Sequence, residues 1–304
     1  VSKPKKAMEF AGARLALTFD DAPSMREPGL GERFEPARMD RIREALQACG
    51  VRHAVAFVIS DWGAGSRAEM RRWLEAGYEL GNHTADHQFC SGRTIAESLD
   101  AVDRCGRYLE QLDAFSEGRE RWFRFPHLDR GADPNARAAL AAELRDRGYR
   151  IAGCSLDSFD YAYEGPLAMA ALCAEPERER QVLGRYAQTS TNVLRFHLEA
   201  SRKLLGRDPA HSLLFHFGAA TSHKLGNLLR EWRARGARFC SLEEAVDDPL
   251  HREFDADYQR QGLFSPHTTD RRIVSRLRRR FFGTLQSSSL FEQRELGPLW
   301  PHLT

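Results

Sequence analysis

Two adjacent carboxylates, Asp20 and Asp21, follow the apolar run Leu15 to Phe19. Side by side they repel unless a cation or a cationic side chain lies between them. Further along, His83 and His87 are separated by three residues. On a helical turn that spacing puts both imidazoles on one face, where both reach one ion. Two histidines and one carboxylate leave open positions on a divalent metal, the arrangement of hydrolytic zinc sites that must also hold water. The ligand set read this way is Asp21, His83 and His87, with Asn82 and Thr84 as hydrogen-bonding groups that orient a ring or a loop. Zinc is the default for these donors, and cobalt, nickel or manganese fits a similar site. Arg124 stands in the aromatic run Phe123-Arg124-Phe125-Pro126-His127. Buried without a partner it would cost about 3–5 kcal/mol, so Asp20 or Asp160 is expected beside it. Asp157, Asp160 and Tyr161 form a further acidic cluster, and His216 closes the run Leu213-Leu214-Phe215.

These residues need elements to bring them together. Runs rich in β-branched or aromatic residues predict strands at Leu15–Phe19, Ala54–Ile59, Tyr78–Gly81, Trp122–Phe125, Tyr149–Gly153, Leu213–His216 and Ala237–Cys240. Stretches of helical period lie between them, at 36–49, 67–76, 94–112, 134–147 and 227–235. Pro36 and Pro134 suit first helical turns, while glycines such as Gly148 and Gly236 suit left-handed C-caps. Strand alternating with helix predicts a parallel α/β fold joined by right-handed crossovers. About seven strands favour a (β/α) barrel, distorted or incomplete, and each candidate residue then falls at or just past the C-terminal end of a strand, where barrel enzymes build their sites. Residues 166–207 break the rhythm and read as a helical insertion or enlarged crossover. The expected division is a barrel over 1–248 and a tail over 249–304 that packs on the barrel or is partly irregular.

Composition narrows the partners. The chain has 304 residues, 42% of them hydrophobic, and 45 basic against 43 acidic side chains. A net charge of +2 provides no strong field for nucleic acid, and the basic stretch Arg276 to Arg280 reads as a solvated helix face. No apolar run reaches the ~20 residues that span a bilayer. Val1 to Phe10 lack the apolar region of a signal peptide, so a cytoplasmic location is expected unless the chain is a processed mature form, which would place it outside the cytoplasm. The six cysteines are scattered singly, as expected of reduced packing residues.

Taken in order, T-F-D-D (Thr18 to Asp21), H-T-x-x-H (His83 to His87), R-F-P (Arg124 to Pro126), D-x-x-D-Y (Asp157 to Tyr161) and L-L-F-H (Leu213 to His216) resemble the five motifs of the polysaccharide deacetylase family, the NodB homology domain of carbohydrate esterase family four. The resemblance spans about residues 14 to 245 and includes Arg235 to Ala245, which resembles the family's final strand and helix. It implies a NodB-like barrel with Asp20 as general base, Asp21, His83 and His87 as metal ligands, and His216 as general acid. It further implies that Arg124 holds Asp20, Asp160 pairs with His216, Tyr161 walls the pocket, and the backbone N–H of His127 after Pro126 stabilises an oxyanion. Three positions depart: Ala22 stands where glycine is common, Tyr161 where tryptophan is, and His127 where tyrosine is. The implied function is metal-dependent removal of N-acetyl or O-acetyl groups from an amino-sugar polymer or oligomer. The alternatives are an amidase acting on a small or cyclic amide at the same site, and a noncatalytic carbohydrate-binding relative.

Overall fold

Strand β1 (Arg14–Ala22) is buried on both faces over nearly its whole length, as a parallel strand sandwiched between a barrel interior and an outer helical layer must be. Its odd positions Leu15, Leu17 and Phe19 join the large outer core, while Ala16 belongs to a separate inner cluster with Val55, Phe57 and Trp122. The computed structural model describes residues 8–25, 36–63 and 66–253. The predicted tail therefore lies outside the described residues, apart from the short helix Pro249–Glu253, and so does the basic stretch Arg276 to Arg280.

The remaining strands are β2 (Ala54–Val58), β3 (Glu79–Asn82), β4 (Trp122–Phe123), β5 (Arg150–Ile151), β6 (Leu156–Asp157), β7 (Ala210–His216) and β8 (Arg238–Phe239). Seven form one path, β5-β4-β3-β2-β1-β7-β6, and β8 pairs with the start of β1. Every pairing is parallel. The two ends of the path, β5 and β6, are consecutive in the chain. Residues 152–155 thus carry the chain across the gap that a closed barrel would bridge with a ladder, and the fold is a distorted, incomplete (β/α) barrel. Strand β6 was not foreseen in the sequence, because its two residues lie in Cys154-Ser155-Leu156-Asp157, which has no β-branched residue. Strand β7 starts three residues earlier than expected, since Ala210-His211-Ser212 is no apolar run.

The outer ring comprises α1 (Pro36–Ala48), α2 (Arg67–Glu75), α3 (Ile95–Glu110), α4 (Pro134–Asp146), α5 (Tyr161–Leu172), α6 (Pro176–Leu205) and α7 (Ala219–Ala234). The start of α3 is fixed by a capping box between Thr94 and Glu97, and that of α4 by Asp133. Gly148 and Gly236 adopt φ of 77° and 101°, the left-handed turns expected after α4 and α7. Helix α8 (Leu242–Asp247) places Leu242 and Ala245 among Ala16, Trp122 and Ala210, closing the N-terminal end of the barrel.

The segment expected as an insertion is the crossover from β6 to β7. Helix α6 has 30 residues, about 45 Å at 1.5 Å per residue. The 7 residues of β7 span only about 23 Å. The excess of α6 is taken up by an antiparallel hairpin with α5, fastened where Tyr163 meets Thr189 through their hydroxyls at 2.7 Å. Because α5 leaves from the C-terminal end of β6, this hairpin rises beside the rim on which the candidate residues lie.

Candidate metal centre and catalytic groups

Neighbouring residues of a strand face opposite sides, so Asp20 and Asp21 in regular β geometry would point apart. The register between β1 and β2 slips between Phe19 and Ala22, and Asp21 has φ of 62°. This bulge turns Asp21 back toward the interior beside Asp20. Asp20 accepts a hydrogen bond from Arg124 Nη1 at 2.8 Å. The guanidinium is fully buried and reaches three other parts of the barrel, β1, the β5–β6 link and β7: it also donates to Thr18 Oγ1 (2.7 Å), Ala152 O (3.2 Å) and Ser212 Oγ (3.2 Å). Its plane lies over the Phe57 ring at 4.3 Å. Of the two partners expected for Arg124, Asp20 is the one in contact.

The histidine pair does not sit on a helical turn as the spacing suggested. Residues 83–89 form a loop, with Thr84 at φ 67° and His87 at φ 57°. Asn82 Oδ1 accepts from Thr84 N (2.8 Å) and Thr84 Oγ1 from His87 N (3.1 Å), so the loop is held by the residues assigned that task. His83 Nδ1 donates to Arg124 O at 2.9 Å. Since a carbonyl only accepts, Nε2 keeps its lone pair free for a ligand bond. Nε2 of His83 lies 3.7 Å from Asp21 Oδ1, and Nε2 of His87 lies 3.2 Å from it. One ligand atom from each of Asp21, His83 and His87 falls within 4.8 Å of the others.

The chemistry of this trio fits a cation. Burial lowers His83 to about 3 and His87 to about 2, which keeps both imidazoles neutral. Burial raises Asp21 to about 7, reinforced by the charge of Asp20. Asp21 Oδ1 is buried with no hydrogen-bond donor, a costly situation that a divalent ion between the three groups relieves.

A second pair stands across the barrel mouth. His216 Nδ1 and its backbone N–H contact Asp160 at 2.7 Å and 2.6 Å, and Thr221 Oγ1 donates to the same carboxylate at 2.5 Å. Burial would push His216 down, but the adjacent Asp160 charge and hydrogen bond override it and raise the imidazole to about 10. Burial opposes ionisation of Asp160, yet the His216 charge and these hydrogen bonds hold it below the usual carboxylate range. Asp160 caps α5, and four residues later Glu164 accepts from Ala219 N (2.7 Å) and Ala220 N (2.8 Å) at the start of α7. The first turn of α5 thus grips both His216 and the helix that follows it.

Pro126 is buried and His127 lies in a turn with φ of 53°. The His127 ring lies 4.2 Å from that of His87, with Nε2 donating to His87 O at 3.1 Å. Tyr161 meets His216 edge-on at 5.7 Å. The ten candidate catalytic, metal-ligating and substrate-binding residues therefore gather at one end of the barrel. Among the described residues nine non-glycines have positive φ, and Asp21, Thr84, His87, His127, Leu128 and Phe159 are six of them. Strained backbone concentrated around one centre is a mark of functional sites.

Residues 8–151 match the family model described as polysaccharide deacetylase. The match covers slightly less than half of the 304 residues. Among solved structures, the chitin deacetylase of the fungal pathogen Colletotrichum lindemuthianum is similar at 19% identity with a TM-score of 0.53, covering 80% of this chain and 91% of that one. A peptidoglycan N-acetylglucosamine deacetylase crystallised with a hydroxamate-type benzamide is similar at 18% identity, with a TM-score of 0.52 and coverage of 78% and 89%. A carbohydrate esterase family four pseudoenzyme from Bacillus anthracis is similar at 17% identity with a TM-score of 0.49, and the overlap covers 79% of this chain and 66% of that protein. No curated protein matches the chain. The polysaccharide deacetylase match ends before Asp160 and His216, whose association rests on the contacts above.

Sequence reasoning missed several groups that hold this deacetylase-like site. Thr221 and Ser212 left no signal, because a single hydroxyl residue carries no distinguishing pattern. Glu164 did leave one: it follows Asp160 by four residues, the spacing that puts two side chains on one helical face. Phe89, which stacks on His127 at 3.9 Å, belongs to none of the motifs and so left no signal either.

Proposed function

We propose that the chain is a metal-dependent hydrolase that removes N-acetyl or O-acetyl groups from an amino-sugar polymer or oligomer. The observation that carries this reading is the division of labour among the buried acids: Asp21 Oδ1 lies within 3.7 Å of both imidazoles and accepts no hydrogen bond, whereas Asp20, 3.6 Å from His83 Nε2, is tied by its other oxygen to Arg124. Asp21, His83 and His87 would hold a divalent ion, zinc by donor type with cobalt, nickel or manganese as alternatives, which polarises the carbonyl and activates water.

Asp20 takes the proton from the attacking water, and the Arg124 guanidinium fixes the carboxylate in position for it. The backbone N–H of His127, on the turn after Pro126, faces the oxygen that gains negative charge. His216, kept protonated by Asp160, delivers a proton to the departing nitrogen or oxygen. The products are acetate and a free amine or hydroxyl. Tyr161 walls the cleft on the His216 side.

A noncatalytic sugar-binding module has no use for both a paired base and a paired acid. The α5–α6 hairpin beside the rim favours one further reading, an amidase on a small or cyclic amide, because it narrows one side of the approach. The test is acetate release from short N-acetylglucosamine oligomers before chelation, after it, and after zinc is restored. Release that stops and returns is the expected result. Absence of release with one bound metal per chain moves the substrate to small amides, and absence of any bound metal overturns the proposal.

A further inference from the structure

Phe89 is an anomaly of this surface. It is a large apolar side chain left 53% exposed, two residues past a candidate metal ligand. Its ring lies nearly parallel to that of His127, at 3.9 Å and 12°. His127 in turn packs its ring against His87 and is anchored by the bond from Nε2 to His87 O. One face of Phe89 is therefore backed by a fixed imidazole, and the exposed area lies on the side away from it. Polar residues flank Phe89 in the chain: Gln88 precedes it, and Ser91, two residues on, donates its backbone N–H and hydroxyl to Asp129 at 2.7 Å.

We propose that Phe89 is a sugar-stacking subsite beside the metal centre, with His127 as the backing that holds its ring in place. This rests on the reading of the chain as a carbohydrate deacetylase and extends it to how the polymer is held. A pyranose presents a flat array of C–H groups, which an aromatic face attracts through its negative quadrupole, and hydroxyls at its edge, which neighbouring carboxylate and amide groups bind. A single exposed ring flanked in the chain by polar residues suits that ligand. At position 127, where an aromatic side chain is common in similar proteins, this chain has an imidazole already committed to His87 and Phe89.

The test is titration of the metal-free protein with the trimer of β-1,4-linked N-acetylglucosamine, so that binding is read apart from turnover. Phe89→Ala should weaken binding about tenfold and Phe89→Trp should restore it, since aromatic contacts contribute up to ~1.5 kcal/mol. Unchanged melting temperatures would establish that both variants are folded. Equal affinity of wild type and Phe89→Ala, or no binding by the wild type, overturns the subsite. Binding that depends on Phe89 without any acetate release from the metal-loaded protein keeps the subsite and overturns the deacetylase reading instead.

Discussion

At the residue scale, the site separates charges that sequence places side by side. Asp20 and Asp21 are distinguishable only because a bulge and a left-handed φ set them against different partners. Micromolar zinc should raise the melting temperature and Asp21→Asn should abolish that rise, since a cation bound only to the native state stabilises it in proportion to its occupancy. A zinc-induced rise equal to that of the wild type would place the ion elsewhere. The His216–Asp160 pair makes a prediction in pH. His216 is raised to about 10, above the ~6.5 of an unfolded imidazole. Its contribution to stability is thus fully present below about 6.5 and is lost as pH rises through about 10. In Asp160→Asn the alkaline limb of kcat should fall by several pH units toward the ordinary imidazole value. A limb that stays in place would mean that Asp160 does not tune the imidazole.

At the element scale, what was legible followed from periodicity and end signals. The long strands, the capped helices and the glycine C-caps were readable because each carries its own local chemistry. The two-residue strand β6 was not, being defined by its pairing with Leu213 and Leu214 rather than by its composition. The helical reading of His83 and His87 failed for a related reason: spacing fixes a face only if the backbone is helical, and here Asn82 and Thr84 hydrogen-bond the loop into another shape. Glu164 ties α5 to α7 through two N–H groups, the buried one of Ala220 and the part-buried one of Ala219. Glu164→Ala leaves them without an acceptor, a cost of about 1–3 kcal/mol each. A drop in the denaturation midpoint should accompany loss of kcat larger than any change in KM, because the turn carrying His216 loosens. Gly218→Ala should behave alike, as its Cβ would lie 2.5 Å from Glu164 Oε1.

At the scale of the whole molecule, the barrel is open between β5 and β6, and Arg124 lies across that gap. Its bonds to Ala152, Thr18, Asp20 and Ser212 join β1, β4, β7 and the β5–β6 link. The sequence revealed that this guanidinium needed a carboxylate, but not that it also completes the barrel, since that depends on where the sheet fails to close. Arg124→Met should cost about 3–5 kcal/mol in urea denaturation, as Asp20 is left buried and unpaired. Adding Asp20→Asn should recover part of the loss, whereas simple additivity of the two changes would show that the pair is not coupled.

The most direct test of the account is the rate of acetate release from N-acetylglucosamine oligomers by the zinc-loaded Asp20→Asn variant. The variant should hold one zinc per chain, as the wild type should, with turnover reduced about 10²–10⁴-fold, the range for loss of a general base. Turnover within a few-fold of the wild type at equal zinc content would contradict it.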